Sequence, residues 1–301
     1  RYKAADQAIQ PQEEGRANCY AEKAWCWWFS DHFVQEQQRQ NKTISEPNSE
    51  VRMLKVNEIY NESCLDTLKK MQDKEVDIVV TSPPYNMNLR IRNGKYCSRQ
   101  ITEEFSTKYA GFNDNLPIDE YNEFHTKVLK ELLRVSPLVF YNIQIVTGSK
   151  RSIFKMIGEF SDNLKDIVVW DKGHGQPAMQ TGVMNRQSEL VLIFADDNAI
   201  SRQFRDSCQF ERGTLSDVWQ IKRGRTKDSK NKAVMPDELV EKVLLNFSTK
   251  GDLVYDPFCG TGTTCVVAKS LGRRYVGSEI SSELIQSAKN RLAEETKQLF
   301  L

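Results

Sequence analysis

Short apolar segments alternate along this chain with longer segments in which apolar residues recur every three or four positions. The short segments predict buried strands, and the longer ones predict amphipathic helices. We expect strands at 77–80, 138–146, 166–170, 189–194, 252–255 and 274–280, and helices at 121–134, 152–163, 265–271 and after Ser281. Strands and helices in alternation predict an α/β fold built on a mostly parallel sheet.

The first part of the chain has a different pattern. Its ends are rich in Gln, Glu, Asn and Ser, which predicts mobility, whereas Trp25, Trp28, Phe29 and Phe33 recur near helical spacing. We therefore expect an N-terminal extension over 1–50 that is partly helical and partly mobile, followed by the α/β domain over 51–301. The aromatic face either packs on that domain or contacts a partner or DNA.

A first candidate site follows the strand at 77–80, where the sequence reads Thr81-Ser82-Pro83-Pro84-Tyr85-Asn86. Paired prolines end a strand abruptly and supply no backbone donor, so their carbonyls are left to accept hydrogen bonds from a ligand. Ser82 adds a hydroxyl group, and Tyr85 adds a flat ring with a polar tip. The segment therefore offers two acceptors for an amino group and a ring on which a ligand can stack.

A second candidate site follows the strand at 252–255. The sequence runs from Asp256 through Pro257-Phe258-Cys259-Gly260-Thr261-Gly262-Thr263-Thr264 into a predicted helix. Glycines allow a backbone to approach a ligand closely, and a helix N-terminus offers unpaired N–H groups to a carboxylate. The next strand ends at Glu279, the usual place in a doubly wound sheet for an acid that binds ribose hydroxyls.

Both motifs resemble those of one enzyme family. Ser-Pro-Pro-Tyr is similar to the catalytic motif of DNA methyltransferases that modify exocyclic amino groups, at N4 of cytosine or N6 of adenine. The Asp-Pro-Phe-x-Gly-x-Gly-Thr-Thr run, followed by Gly-x-Glu, resembles their S-adenosylmethionine site. Because the catalytic motif precedes the cofactor motif, the chain resembles the permuted β group of these enzymes over about 54–292. The resemblance implies a Rossmann-like sheet of the class I methyltransferase type, circularly permuted.

The resemblance also assigns roles to residues. It implies catalytic roles for Ser82, Pro83, Pro84 and Tyr85, and cofactor contacts for Thr81, Asp256, Pro257, Phe258, Gly260, Gly262, Thr263, Thr264 and Glu279. Glu62 stands where the family usually has an aspartate near the cofactor's adenine. For Glu62 an adenine contact and a solvated loop acid both stay open.

Contacts with double-stranded DNA are expected from local basic clusters, because the net charge of the whole chain is only +1. One cluster lies in a long polar loop after the first motif, and the other in a short target-recognition region over 196–232. The expected contacts are Asn86, Arg90, Arg92, Lys95, Lys222, Arg223, Arg225 and Lys227. A solvated loop and a solvated linker are the alternatives for the two clusters.

The expected mechanism is direct in-line methyl transfer, without a covalent nucleophile or a metal. The Ser82 hydroxyl and the Pro83 carbonyl would accept hydrogen bonds from the amino group of a flipped base stacked on Tyr85. Serine at the first motif position goes more often with cytosine N4, so we expect that target, with adenine N6 as the alternative. A second alternative is an RNA or protein-amide methyltransferase, whose relatives generally carry the cofactor motif first.

Composition limits the remaining classes. The chain has 301 residues, 39% of them hydrophobic, and the mean hydropathy is −0.57, which fits one sizeable core. No apolar run reaches the length of a membrane span, and we expect an intracellular, DNA-associated protein, in the bacterial cytoplasm and nucleoid or in a eukaryotic nucleus. Seven cysteines without a CxxC pair indicate neither a disulfide framework nor a zinc site. A homodimer is expected by analogy with the family.

Overall fold

The computed structural model describes residues 54–86, 90–92, 95–97, 104–105, 116–146, 149–176, 181–196, 201–204, 208–223 and 234–298. All of them belong to the unit Met53–Leu301 of the chain. The predicted extension over 1–50, with its aromatic helix, lies outside the described residues, and so do Arg225 and Lys227.

Eleven strands and six helices are assigned among the described residues. The strands are β1 Glu58–Asn61, β2 Ile78–Thr81, β3 Arg90–Arg92, β4 Lys95–Cys97, β5 Glu104–Phe105, β6 Leu138–Ile143, β7 Leu164–Gln176, β8 Arg186–Ala195, β9 Val218–Gln220, β10 Leu253–Asp256 and β11 Arg274–Glu279. The helices are α1 Cys64–Leu68, α2 Ile118–Val135, α3 Lys150–Glu159, α4 Asp237–Phe247, α5 Thr263–Ser270 and α6 Ser282–Gln298. Each strand and helix expected after residue 54 is present, with shifted ends.

The main sheet has eight strands in the order β1-β11-β10-β2-β6-β8-β7-β9. Neighbouring strands from β1 to β6 are parallel, β8 is antiparallel to both of its neighbours, and β9 is parallel to β7. The predicted α/β fold with a mostly parallel sheet is therefore confirmed.

The chain changes direction across the sheet between β2 and β10. From β2 it passes through α2 to β6 on one side, whereas from β10 it passes through α5 to β11 on the other. In an open α/β sheet, ligands bind in the crevice outside the carboxyl ends of the strands at such a switch point. Both predicted motifs begin at these two strand ends.

Helices cover both faces of the sheet. Apolar residues of β2 alternate between the faces, since Ile78 and Val80 belong to one buried cluster and Val79 to the other. The first cluster includes residues of α4, α5 and α6, and the second includes residues of α1, α2 and α3. The amphipathic stripe predicted for α2 is confirmed, because Val128 and Leu132 are fully buried.

Three local features go beyond the predicted pattern. The long polar loop after the first motif contains a small antiparallel sheet in the order β4-β3-β5, in which backbone groups pair with each other. Strands β7 and β8 extend beyond the apolar segments as a hairpin, because pairs such as Asp171 with Ser188 continue outside the buried part. The 196–232 region contributes the edge strand β9. No helix among the described residues has both the length and the apolar character needed to cross a bilayer.

Candidate active site

The two motifs are joined by hydrogen bonds between neighbouring strands. Thr81, the last residue of β2, donates from Oγ1 to Oδ1 of Asp256, the last residue of β10, at 2.7 Å. The Thr264 hydroxyl, in the first turn of α5, donates to the Val80 carbonyl at 3.2 Å. The strand that carries the proline motif and the helix that follows the glycine turn are therefore held together.

Asp256 lies at the centre of this junction and is 4% exposed. Its Oδ1 also accepts from the backbone N–H of Phe258 at 3.1 Å. Burial raises the pKa of Asp256 to about 6, although the hydrogen bonds from the Thr81 hydroxyl and the Phe258 N–H act in the opposite direction. The carboxyl group is thus ionised at neutral pH but protonates in mildly acidic solution.

The glycine turn has no room for a side chain at Gly262. This residue precedes α5 with φ of +80°, a left-handed conformation that favours glycine. A Cβ atom there would lie 2.7 Å from Cβ of Ala288 in α6. The missing side chain lets α6 pack directly on the turn.

Glu279 closes the other side of the turn. Its Oε2 accepts from the backbone N–H of Gly260 at 3.0 Å, and its Oε1 accepts from that of Ser281 at 2.9 Å. Burial raises the pKa of Glu279, and these backbone bonds oppose the shift. The carboxylate is therefore already oriented next to the glycine turn.

Arg291 of α6 also holds this turn and was missed by the sequence analysis. Its Nη1 donates to the Thr261 carbonyl and to the Thr263 hydroxyl, each at 3.0 Å. Its Nη2 lies 3.2 Å from Oδ1 of Asp237 in α4. The turn is thus fixed by a cation from the last helix.

Glu62 follows β1, whose last residue, Asn61, pairs with Glu279 of β11. Its Oε1 accepts from the Thr67 hydroxyl at 2.8 Å, and Lys70 Nζ lies 2.5 Å from its Oε2. The side chain is half-buried and lies at the same edge of the sheet as Glu279. The structure therefore gives Glu62 internal partners, which a fully solvated loop acid would not have.

The proline motif turns sharply after β2. Pro83 and Pro84 are both buried, and Ser82 is half-buried. The Tyr121 hydroxyl, in α2, donates to the Pro84 carbonyl at 2.7 Å. The sequence predicts that both proline carbonyls accept hydrogen bonds from a ligand, but the Pro84 carbonyl instead accepts from Tyr121 and attaches the motif to α2.

Tyr85 places its polar tip inside the protein. Its hydroxyl lies 2.9 Å from Ser82 Oγ and donates to Oε2 of Glu189, in β8, at 2.9 Å. Asn142 of β6 donates from Nδ2 to the Tyr85 hydroxyl and to Glu189 Oε2, each at 2.9 Å. The motif is thus continuous with a buried polar network from two further strands.

Glu189 is the buried anion of that network and is 4% exposed. On its other oxygen, Oε1, the nearest cations are Lys172 Nζ at 3.2 Å and Arg223 Nη2 at 3.7 Å. Burial lowers the pKa of Lys172, whereas Glu189 acts to raise it. We name Ser82, Tyr85, Asn142, Lys172, Glu189 and Arg223 the catalytic-motif network.

Sequence reasoning missed Asn142, Lys172 and Glu189, although a signal was present. Each is a polar residue within or beside a predicted apolar strand. In the sheet, each lies near the strand end that faces the first motif. Burying such a residue costs free energy unless it finds a partner, so three of them predict a shared network. Their order in the sheet decides that they meet.

Comparison with known proteins gives the family. Residues 76–290 match the N6/N4 methyltransferase family, described as DNA methylases. The chain belongs to this family. Among curated relatives of this DNA methylase, M.BglII of Bacillus subtilis is 26% identical over 268 residues, covering 77% of this chain and 68% of the relative. M.HinfI of Haemophilus influenzae is 29% identical over 257 residues, covering 79% and 69%.

Two solved structures show the same fold. The cytosine-N4-specific PvuII DNA methyltransferase matches with a TM-score of 0.59 and 16% identity, covering 81% of this chain and 92% of its own. The complex of M1.HpyAVI with S-adenosylmethionine matches with a TM-score of 0.52 and 20% identity, covering 78% and 99%. At these identities the likeness concerns the fold.

The basic residues expected to contact DNA are only partly described in this DNA methylase. Arg90 and Arg92 lie in β3 and Lys95 in β4, where Arg92 pairs with Lys95. Lys222 is exposed, whereas Arg223 is half-buried and directed to Glu189.

Within the described ranges, His, Cys, Asp and Glu form no group of three or more that could hold a metal ion.

Asn86 has a structural role in place of the predicted DNA contact. It is 2% exposed, with φ of +52°. Its Nδ2 donates to the Leu116 carbonyl at 3.0 Å, and the Leu116 N–H donates to its Oδ1 at 2.8 Å. Since a DNA contact requires an accessible side chain, the buried amide instead anchors the chain just before α2.

Proposed function

We propose that this DNA methylase transfers a methyl group from S-adenosylmethionine to the exocyclic N4 amino group of cytosine in double-stranded DNA. The observation that carries the proposal is the bond between Thr81 and Asp256. It holds the Ser-Pro-Pro-Tyr segment beside the glycine turn, on adjacent parallel strands at the switch point of the sheet.

The residues around the glycine turn fit S-adenosylmethionine. Glu279 is oriented by two backbone N–H groups beside the turn, and the absence of a Cβ atom at Gly262 lets α6 pack directly on the turn. The residues proposed to hold the cofactor are Asp256, Pro257, Phe258, Gly260, Gly262, Thr263, Thr264 and Glu279, with Thr81 and Glu62 at the rim. When bound, the cofactor supplies an electrophilic methyl group carried on a sulfonium.

Two groups of the proline motif would prepare the attacking nitrogen. An exocyclic amino nitrogen is a poor nucleophile because its lone pair is delocalised into the ring. Ser82 Oγ and the Pro83 carbonyl would accept hydrogen bonds from its two N–H groups and draw the nitrogen towards tetrahedral geometry. Catalysis then comes from positioning and polarisation of the amino group.

Access to the amino group requires the base to leave the helix. A stacked cytosine cannot reach a motif whose prolines are buried, so the target base would be flipped into the crevice. The ring of Tyr85, fixed through its hydroxyl, would provide the surface on which the base stacks. Phosphate contacts would come from Lys222 and from Arg90, Arg92, Lys95, Arg225 and Lys227.

The choice of cytosine rests on Ser82 as the first residue of the motif. The family includes both N6 and N4 enzymes by its name, so membership does not select the base. Adenine N6 is the second candidate, and an RNA or protein-amide substrate is the third. A homodimer stays a prediction that sedimentation velocity would check.

Labelled methyl transfer tests the proposal directly. The protein is incubated with methyl-labelled S-adenosylmethionine and mixed-sequence duplex DNA, and the nucleosides are separated by chromatography and mass spectrometry. We expect label in N4-methylcytosine, and none with Ser82→Ala or Tyr85→Ala, which should still bind the cofactor. Label in N6-methyladenine would show that adenine, not cytosine, is the target base. Label on RNA alone would show that DNA is not the substrate.

A further inference from the structure

The hydrogen bonds of the catalytic-motif network have a single consistent direction. A carboxylate only accepts hydrogen bonds, so the Tyr85 hydroxyl must donate to Glu189 Oε2, 2.9 Å away. The Tyr85 oxygen is then an acceptor, and the Ser82 hydroxyl donates to it across 2.9 Å. Ser82 Oγ also accepts a long hydrogen bond from Asn142 Nδ2 at 3.4 Å, which leaves one lone pair for an N–H group of the target base.

Asn142 reinforces that direction. Its Nδ2 donates to both the Tyr85 hydroxyl and Glu189 Oε2. The opposite amide orientation would place its oxygen against the carboxylate, which is repulsive. Asn142 is 2% exposed and cannot turn into solvent, so Tyr85 has no acceptor there and must donate to Glu189.

Two cations lie on the far side of the Glu189 carboxyl group. Lys172 contacts Oε1 at 3.2 Å, and Arg223 approaches the same oxygen at 3.7 Å. These two cations face the anion from β7 and from the segment after β9. A buried carboxylate with such neighbours is an acceptor that is in place before the substrate arrives.

We propose that Glu189 is the terminal proton acceptor for the methylated base, reached through the hydroxyl groups of Ser82 and Tyr85. The inference rests on the proposed function, in which Ser82 Oγ accepts an N–H of the target amino group. Transfer of a methyl group leaves that nitrogen with a positive charge and one proton too many. A serine cannot take up this proton and keep it, whereas a carboxylate can.

The nitrogen lone pair forms the N–CH₃ bond while the S–CH₃ bond breaks and its electron pair stays on sulfur. One N–H proton then passes to Ser82 Oγ, the Ser82 proton passes to Tyr85 Oη, and the Tyr85 proton passes to Glu189 Oε2. The methylated base leaves neutral, Ser82 and Tyr85 are unchanged, and Glu189 is a carboxylic acid that later releases its proton to water.

The variant Glu189→Gln tests this proton path, because a glutamine amide cannot accept hydrogen bonds from both Lys172 and Tyr85. Donors approach Oε1 from Lys172 and Oε2 from Tyr85, but an amide offers only one acceptor. We expect the single-turnover rate of methyl transfer to fall by roughly 10²-fold or more, the range of general acid–base contributions. Cofactor affinity, measured by titration calorimetry, should change by less than about twofold, because Glu189 is not among the residues proposed to hold it.

Two further variants distinguish loss of the proton path from a nonspecific loss of structure. Tyr85→Phe keeps the ring and both ion pairs but removes the middle hydroxyl, so it should lower the rate to a similar extent. Glu123→Gln changes an exposed carboxylate that pairs with Lys127 and should leave the rate unchanged. A wild-type rate in Glu189→Gln or in Tyr85→Phe would overturn the proposal. If Glu189→Gln does not fold, the rate of Tyr85→Phe alone decides the test.

A measurement on the free protein tests the hydrogen bonds without any turnover. With tyrosine labelled at ¹³Cζ, proton NMR should show a slowly exchanging hydroxyl proton that disappears in Tyr85→Phe and shifts or exchanges rapidly in Glu189→Gln. The hydroxyl of Tyr121, donated to Pro84, is the internal reference. An unchanged Tyr85 signal in Glu189→Gln would overturn the chain, whereas absence of methylation by the wild type would overturn only the proposed function.

Discussion

The hydroxyl of Thr81 and the carboxylate of Asp256 are separated by 175 residues in sequence and by 2.7 Å in space. This contact joins the last residue of the strand before the catalytic motif to the last residue of the strand before the cofactor turn. Because Asp256 is buried, its protonation state couples the pH of the solution to the junction of the two motifs.

Asp256 should make the protein less stable as pH rises. Its pKa is about 6 in the folded protein and 3.8 as the ordinary value, so between these limits the folded state binds the extra proton. Its contribution is fully present below pH 3.8 and is lost as pH rises through about 6, with a ceiling of roughly 3 kcal/mol. Because His125 acts oppositely over the same pH range, urea unfolding at several pH values should show this contribution as a difference in slope between the wild type and Asp256→Asn. The exposed Asp162→Asn is the control and should keep the wild-type slope.

His125 should act in the opposite direction. It is fully buried with Nδ1 bonded to the Tyr141 hydroxyl, and desolvation lowers its pKa from 6.5 to about 3. The unfolded chain therefore binds the proton first, and stability falls as pH decreases from 6.5 towards 3, by up to roughly 5 kcal/mol. His125→Phe should flatten this acid limb in thermal unfolding, whereas the exposed His174→Phe should not. An equal acid limb in both variants would contradict the assignment.

Gly262→Ala should damage the cofactor turn. The new Cβ atom would lie 2.7 Å from Ala288 Cβ, at a residue with φ of +80°. We expect a loss of unfolding free energy of roughly 1–3 kcal/mol from overpacking and backbone strain, together with weaker cofactor binding by calorimetry. Gly158→Ala is the control, since a Cβ there meets nothing within 4 Å and lies in α3. It should be neutral or stabilising by about 0.5–1 kcal/mol.

Tyr121→Phe should loosen the proline motif without touching the cofactor turn. The change leaves the buried Pro84 carbonyl without the hydroxyl that donates to it at 2.7 Å. We expect a loss of about 1–3 kcal/mol in unfolding free energy, a lower rate of methyl transfer and unchanged cofactor affinity. Tyr60→Phe removes an exposed hydroxyl bonded to the backbone of Lys55 and is the control. Equal rates in the two variants would show that the anchor is not needed.

Asn86→Ala and Lys222→Ala should separate a structural residue from a phosphate contact. Asn86 is buried and bonded to Leu116, so its loss should lower stability by about 1–3 kcal/mol and leave the salt dependence of DNA binding unchanged. Lys222 is exposed beside the site, so its loss should reduce the slope of log K against log salt by about 1. Fluorescence anisotropy at several salt concentrations measures both slopes. A reduced slope in Asn86→Ala would restore its predicted DNA contact.

Local chemistry in the sequence was enough to predict the strands, the helices and the two motifs. Apolar periodicity defines buried elements, prolines end a strand, and glycines mark a turn that tolerates no side chain, as Gly262 shows. These signals depend on residues close in sequence, so they can be recognised without knowledge of the fold. They did not reveal that the loop after Asn86 contains paired strands, because its pairing arises between backbones.

The tertiary structure alone decided which distant polar groups meet. Glu189, Asn142 and Lys172 belong to three different strands, and nothing in their sequence spacing connects them with Ser82 or Tyr85. The order of strands brings them to one buried place, where each must find a partner because water cannot supply one. The same packing takes Asn86 and the Pro84 carbonyl away from a ligand. The sequence by itself determined which chemistry this protein carries, and the sheet decided which side chains share it.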